Sequence, residues 1–431
     1  AEVLLDTLSY AAYLVPEVTD DIYAIDGAMK VGYNWKKGPF EMIDSIGAAE
    51  VVKRLQALGR SVPEFLQIGA DKGSFYSIED GEIHRLSPSG EVVQVSRPPE
   101  TLTVADLKRR GKPIQRNASA SIWDAGDEVL LVEYHSKMNA MDPLSMEILL
   151  TAVDMAEYGD WKGILIANDS NNFCAGANLG LALFGANLAA WKDVEDFIAL
   201  GQEAYQALKY AEVPVVAAST GVCVGGGAEV LLHCDAVQAH SESYVGLVEV
   251  GVGIVPGWGG CKEMLARLSA FGIAPNGPMG DVMKAFEMIG TAQIAKSAEQ
   301  ARRMGFLRPD DRVSMNRDLL LADAKARVLE LADDYTPPEP HTYHLPGATG
   351  RAALDMAVSD LSRSGQATPH DVIVTGELAN ILTGGDTDML DKLSEDDILA
   401  MELAAISKLS RNVATLARME HMVQTGKPLR N

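Results

Sequence analysis

The stretch that most narrows what this chain can fold into is residues 214–260, PVVAASTGVCVGGGAEVLLHCDAVQAHSESYVGLVEVGVGIVPGWGG. It opens with an apolar, β-branched run, passes through Gly225-Gly226-Gly227, and carries Glu229 directly afterwards in apolar text. A buried-type strand that turns through glycines into a helical pattern is the strand-to-helix junction of an α/β sheet. Glycine there lets the backbone approach a ligand, and leaves N–H groups unblocked at the positive end of a helix dipole. That geometry suits a developing negative charge, although the same glycines would also serve a tight turn between closely packed elements.

A second acid, Glu249, lies in LVEVGVG, a run otherwise almost wholly apolar, and no lysine or arginine stands between it and Glu229. A carboxylate in such text is either desolvated, which raises its pKa and suits proton transfer, or sits on an exposed strand edge. The segment 172–178, NFCAGAN, follows the apolar strand pattern 163–167 just as the glycines follow theirs. Parallel neighbours would deliver both loops to one sheet edge, where ligands bind in open α/β sheets. Backbone N–H groups from two such loops can grip one carbonyl oxygen, each contributing about 3 kcal/mol to stabilising an oxyanion.

The rest of the chain frames this region. At 431 residues it is long enough for two or three domains. Residues 1–75 read as helices, with Asp20 and Asp21 at one helix start, a turn at Lys37-Gly38-Pro39 and a further helix ending at Gly59. Residues 77–120 are short, charged and turn-rich, with a hairpin expected around Ser89-Gly90. From 121 onward strands at 129–134, 163–167 and 214–218 alternate with helices at 144–158 and 195–210, which implies βαβ units. After Gly260 the pattern is mostly helical. It ends in one long amphipathic stripe that starts at Ser394, includes Leu399, Leu403, Ile406 and Leu409, and stops at Gly426 and Pro428. The expected domains are an all-α unit over 1–85, a linker over 86–118, an α/β domain over 119–330 and a helical extension over 331–431.

Composition excludes some partners. With 60 acidic against 37 basic residues the formal charge is −23, a poor match for nucleic acid or an anionic membrane surface. The four cysteines show no CxxC spacing, and the eight histidines show no paired metal-ligand spacing, so no metal site is expected. No apolar run reaches eighteen residues and no signal pattern opens the chain, from which a cytoplasmic, reducing location is expected. The chain starts at Ala1 inside a helix-like pattern, and is expected to be a piece of something longer.

Four motifs in order, MNAMDPLSME (138–147), NFCAGANL (172–179), PVVAASTGVCVGGGAEVLLHCD (214–235) and EVGVGIVPGWGG (249–260), resemble the crotonase, or enoyl-CoA hydratase/isomerase, superfamily. The likeness covers roughly residues 121–328 and implies an α/β, ββα-spiral fold. It further implies that the backbone N–H groups of Ala175 and Gly226 form an oxyanion hole for a thioester oxygen. Glu229 would activate water for attack at C3 of a trans-2-enoyl-CoA, and Glu249 would deliver a proton to C2. Enoyl-CoA isomerases of this superfamily typically keep only the acid matching Glu249, so the presence of both favours hydration. Lys137, Ala140, Gly176, Ala177, Asn178, Gly257 and Trp258 are the implied substrate-contacting positions, Lys137 as a cation for CoA phosphates and Gly257 as a holder of the water. Asn178 departs from the aspartate that hydratases often carry, and Trp258 from a usually small residue, so that its indole is expected to reshape the acyl pocket.

Residues 24–47, AIDGAMKVGYNWKKGPFEMIDSIG, resemble the helical C-terminal domain of 3-hydroxyacyl-CoA dehydrogenases, specifically the second copy in multifunctional β-oxidation enzymes. Together with the terminal TGKPLRN this implies the C-terminal portion of a dehydrogenase/hydratase fusion. Its partners would be an acyl-CoA substrate, the missing dehydrogenase domain and a thiolase, in a homo-oligomer. No GxGxxG follows a strand, so no NAD site and no other cofactor is expected. Two rival readings remain, a Δ3,Δ2-enoyl-CoA isomerase and a non-catalytic assembly module of a β-oxidation complex.

Overall fold

The computed structural model describes residues 2–98, 101–277 and 279–431. Ala1, Pro99, Glu100 and Pro278 lie outside the described residues, and with them one residue of the expected N-terminal helix, two of the expected linker and one of the expected α/β domain. The chain forms two compact units, one of residues 2–98 with 105–111, the other of 101–104 with 112–431.

Residues 2–72 of the first unit form the helices Glu2–Tyr13, Ile22–Tyr33, Pro39–Ile46, Ala48–Ala57 and Glu64–Lys72. Asp21 caps the second, accepting the Tyr23 N–H at 3.0 Å, as an acid before an apolar-periodic run should. The pattern expected as one helix ending at Gly59 is two, because Gly47 at φ +95° breaks it. Phe40, Phe65 and Phe75 pack edge to face in the core, with centroids 5.0–5.9 Å apart. The unit is not all α. Tyr76–Glu79, Glu82–Leu86 and Val92–Gln94 form an antiparallel sheet, its second hairpin turning through Ser89-Gly90. The expected linker also carries structure, a helix Val104–Arg110 whose buried Asp106 pairs with Arg97 and Arg109.

The second unit is built on a parallel-rich sheet. Its strands lie in the order Arg312–Ser314, Ala236–Gly246, Val215–Val224, Gly163–Ala167, Val129–Tyr134, Ala120–Asp124, Gln115–Arg116, and Asn172–Cys174 pairs separately with Val215–Val224. Pairing is parallel from Arg312–Ser314 through Val129–Tyr134 and antiparallel beyond. The strands at 129–134 and 163–167 coincide with the sequence reading, since each is a fully buried apolar run. Strand Val215–Val224 runs farther than its apolar start suggested. Its first half pairs with Gly163–Ala167 and its second with Asn172–Cys174, so both loops implied by the sequence leave beside the same strand.

The terminal stripe is two helices, Glu395–Ser410 and Val413–Thr425, where one was expected. The break falls at Asn412, whose side chain accepts the Ala414 N–H and caps the second. Ser394, the expected start of the stripe, forms a capping box with Asp397, and Gly426 ends the pattern at φ +69°. Ile398, Ile406 and Leu409 belong to the same hydrophobic core as Ile164, Val215 and Leu231, so the helical extension shares one core with the sheet domain. Among the described residues no helix is long and apolar enough to cross a membrane.

Candidate active site

The three glycines do form a strand-to-helix junction. Val215–Val224 ends at Gly225, and the wholly buried helix Gly226–His233 begins with the next residue. Gly225 adopts φ +56°, and a Cβ there would stand 3.2 Å from Glu249 Oε1. A Cβ on Gly176 would lie 3.1 Å from Val224 O and 3.5 Å from Gly226 N. Glycine at both positions is what allows the 172–178 loop, the glycine turn and Glu249 to meet.

These groups line one cavity of about 510 Å3. Its walls are chiefly apolar, among them Val194, Phe197, Ile254, Ile406, Met419 and Met422, and Glu229 and Glu249 face it. An apolar cleft with few convergent polar groups is the usual form of a small-molecule site.

Glu229 sits in the first turn of its helix, and its Oε1 accepts the Trp258 N–H at 2.8 Å and the Gly260 N–H at 2.9 Å. Burial nonetheless pushes its carboxyl up to about 7. Glu249 lies in a short 3-10 turn, Glu249–Val252, and neither of its carboxylate oxygens has a hydrogen-bond partner among the described residues. Burial first, and then the Glu229 charge, hold it well above the usual carboxylate range. Of the two alternatives for Glu249, the desolvated acid is the one found.

The expected donor Ala175 is corrected. Its N–H is already engaged by Met138 O at 3.3 Å. In the neighbouring parallel bridge between Met141 and Ala177, Met141 donates to Gly176 O at 2.9 Å and accepts from Asn178 N at 2.8 Å. That pattern turns the Ala177 N–H to the opposite side, where Ala177 lines the cavity. The Gly226 N–H, first in its helix, has no backbone acceptor outside that helix among the described residues. Tyr205 fixes this turn by donating its hydroxyl to Gly226 O at 2.9 Å.

Of the implied substrate positions, Gly176, Ala177, Gly257 and Trp258 line the cavity, whereas Lys137, Ala140 and Asn178 do not. Lys137 is exposed on the 3-10 turn Lys137–Asn139, and Ala140 closes that turn. Asn178 is occupied as the cap of helix Leu179–Asn187, accepting the Leu181 N–H at 3.2 Å. The Trp258 ring is buried edge to face between Phe197 and Tyr205, with centroids 5.4 and 5.5 Å away. It forms a wall of the cavity beside Gly226, and the cavity remains open.

One group escaped sequence reasoning. Glu402, from helix Glu395–Ser410, is fully buried, and accepts the Gly259 N–H at 2.7 Å and the Cys261 N–H at 3.0 Å. Burial, then the nearby Glu229 charge, push it up to about 8. A glutamate on an otherwise apolar helix face was the available signal. Beside it, fully buried Lys262 bonds Glu263 at 2.5 Å and Glu395 at 2.9 Å, and Lys209 reaches the same two acids at 2.6 and 2.7 Å. The buried His233 is pushed down to about 3 by burial and then by Lys262, so it is neutral. Its Nδ1 lies 2.7 Å from Glu229 O, and since a carbonyl only accepts, Nδ1 carries the hydrogen. All four cysteines are buried and unpaired, and among the described residues no group of three or more His, Cys, Asp or Glu is placed to hold a metal ion.

Residues 125–277 match the family described as Enoyl-CoA hydratase/isomerase. Over 428 residues the chain is 38% identical to "Probable 3-hydroxyacyl-CoA dehydrogenase" of Bacillus subtilis (strain 168), which covers 99% of this chain and 54% of that protein. It is 28% identical to "Putative fatty acid oxidation complex trifunctional enzyme" of Rickettsia felis, over 98% of this chain and 52% of that one. A shorter stretch, 42% of this chain and 65% of the relative, is 32% identical to "Crotonyl-CoA hydratase" of Syntrophomonas wolfei. The chain spans about half the length of the long relatives it matches. The second unit has the mixed α/β, parallel-rich architecture of a crotonase-like fold, flanked by helices.

Proposed function

We propose that this chain hydrates trans-2-enoyl thioesters of coenzyme A to 3-hydroxyacyl thioesters. The observation that carries the reading is the pair Glu229 and Glu249, both buried, both facing one apolar cavity, with unequal surroundings. Glu229 accepts two backbone N–H bonds, which favour its ionised form, while Glu249 has none and feels the Glu229 charge. Two carboxyls held apart in this way supply one base and one acid at the same pH. Glu229 takes a proton from water as its oxygen bonds C3. Glu249 gives a proton to C2, and the carbon–carbon double bond is consumed. The electron density that reaches the thioester oxygen meanwhile is held by the Gly226 and Ala177 N–H groups.

The walls accept an alkyl chain and offer no further charge to a polar tail. The likeness to long relatives named for dehydrogenase and trifunctional activities supports the further proposal that this chain is one half of a fusion whose redox step needs a nucleotide site elsewhere. The test is loss of the enoyl-thioester absorbance of crotonyl-CoA on adding the protein. No change with short and medium chains would overturn the reading. Glu229→Gln separates it from Δ3,Δ2 isomerisation, which that variant would retain.

A further inference from the structure

The turn beneath Glu229 is shared between two carboxylates. Trp258 and Gly260 send their N–H groups to Glu229 Oε1. The alternating Gly259 and Cys261 send theirs to the two oxygens of Glu402, and Lys262 adds a longer bond of 3.4 Å. Helix Gly260–Phe271 has no side-chain cap of its own, its N-cap being Gly259, so Glu402 supplies the cap from a distant helix. A carboxylate at a helix N-terminus is stabilised by those N–H groups and by the dipole. Here it also fixes, from below, the backbone that orients Glu229.

We propose that Glu402 is a positioning residue for Glu229, holding the 258–262 turn in the register that presents Glu229 to the cavity, and setting by its charge the pH at which Glu229 ionises. This rests on the hydration reading for its consequence in turnover, but not for the coupling itself. The groups facing Glu402 are Glu229 on the Gly226–His233 helix, Glu249 on its 3-10 turn, Cys261 and Lys262 on the Gly260–Phe271 helix, and Tyr343. Lys262 is the one cation among these, and its ammonium is spent on Glu263 and Glu395. Its charge still lowers both Glu229 and Glu402 and so opposes their repulsion without removing it, and ionising one raises the pKa of the other.

The test is a pH titration of the side-chain carboxyls by NMR with 13C-labelled glutamate in the intact chain, with Glu229→Gln and Glu402→Gln assigning the two signals. The expected result is that Glu402→Gln moves the Glu229 midpoint down, by well under about one pH unit, because Glu402 at about 8 is still largely protonated when Glu229 ionises at about 7. Glu229→Gln moves the Glu402 midpoint down by more, because Glu402 titrates against the full Glu229 charge. The second measurement decides the matter if Glu402→Gln does not fold, and an unmoved midpoint in the variant that folds overturns the proposal. In turnover, Glu402→Gln shifts the acid limb of the kcat profile to lower pH, which a merely structural loss of activity would leave in place. A wild type inactive on enoyl thioesters, with the titration shift intact, would sink the hydration reading alone.

Discussion

Trp258 packs its indole against Gly201 so closely that a Cβ on that glycine would stand 2.2 Å from Nε1. A Cβ on Gly226 would stand 2.3 Å from Cζ3 of the same ring. The bulky residue in the turn is thus accommodated by a glycine on helix Trp191–Lys209, as well as by Gly226. Gly201→Ala should cost about 1–3 kcal/mol by overpacking, and should push the indole toward the cavity. Denaturant unfolding reads the first effect, and a rise in KM with acyl length reads the second. Gly201→Ala with unchanged stability would contradict the packing account.

On the hydration reading, removing either buried glutamate of the cavity should be severe. Glu229→Gln and Glu249→Gln should each lower crotonyl-CoA hydration about 10²- to 10⁴-fold, the range for a positioned acid or base. Glu249→Gln should fold about as well as the wild type, because it exchanges one buried polar group without hydrogen-bond partners for another of the same size. Hydration surviving in both variants would remove these acids from the mechanism.

Stability should fall as pH rises above neutrality. Folded Glu229 and Glu402 titrate at about 7 and about 8, against about 4.3 for an unfolded glutamate. Between those limits the folded state holds protons that the unfolded state has released, so stability declines with rising pH. His233 acts oppositely. Its folded value of about 3 lies below about 6.5 unfolded, so its contribution grows with pH and is complete near 6.5. The decline should therefore be steepest between about pH 6.5 and 8, at about 1.4 kcal/mol per pH unit for each proton. Glu402→Gln should flatten it. Urea unfolding at pH 6.5 and 8 measures both, and a wild type equally stable at the two would refute the linkage.

Lys262→Met should unfold the second unit most readily. It leaves Glu263 and Glu395 buried with Lys209 as their remaining close cation, and breaking a buried network from one side costs about 3–5 kcal/mol. Those two acids are held low by the lysines against the opposing effect of burial, Glu395 at about 2. The variant's loss should therefore be smaller in acid, where the carboxyls can take up protons. Loss of equal size at pH 5 and pH 8 would show that packing, not charge, is what Lys262 supplies.

Local chemistry made the sheet and the two acids legible. Val129–Tyr134 and Gly163–Ala167 are apolar runs of strand length, and Glu229 and Glu249 stand out because their surroundings are apolar. The Ala175 assignment failed for a geometric reason. The Ala175 N–H is taken up by Met138 O, a bond to a turn more than thirty residues earlier that no residue in the loop announces. The break in the terminal stripe was signalled by Asn412, a good N-cap, but apolar spacing continued in phase across it and masked the cap. Glu402 was hidden because its partners are backbone groups 143 residues away, and backbone donors leave no trace in side-chain pattern.

The bracing of the 258–262 turn has a consequence for how the protein matures. A nascent chain halted before residue 402 already contains both glutamates, the glycines and every strand of the sheet. It lacks the carboxylate that receives the Gly259 and Cys261 N–H groups, and the Ile406 and Met419 side chains that wall the cavity. Contacts of such long sequence separation form late and are completed only when the distant segment arrives. The cavity stays incomplete until helices Glu395–Ser410 and Val413–Thr425 have been made and have docked.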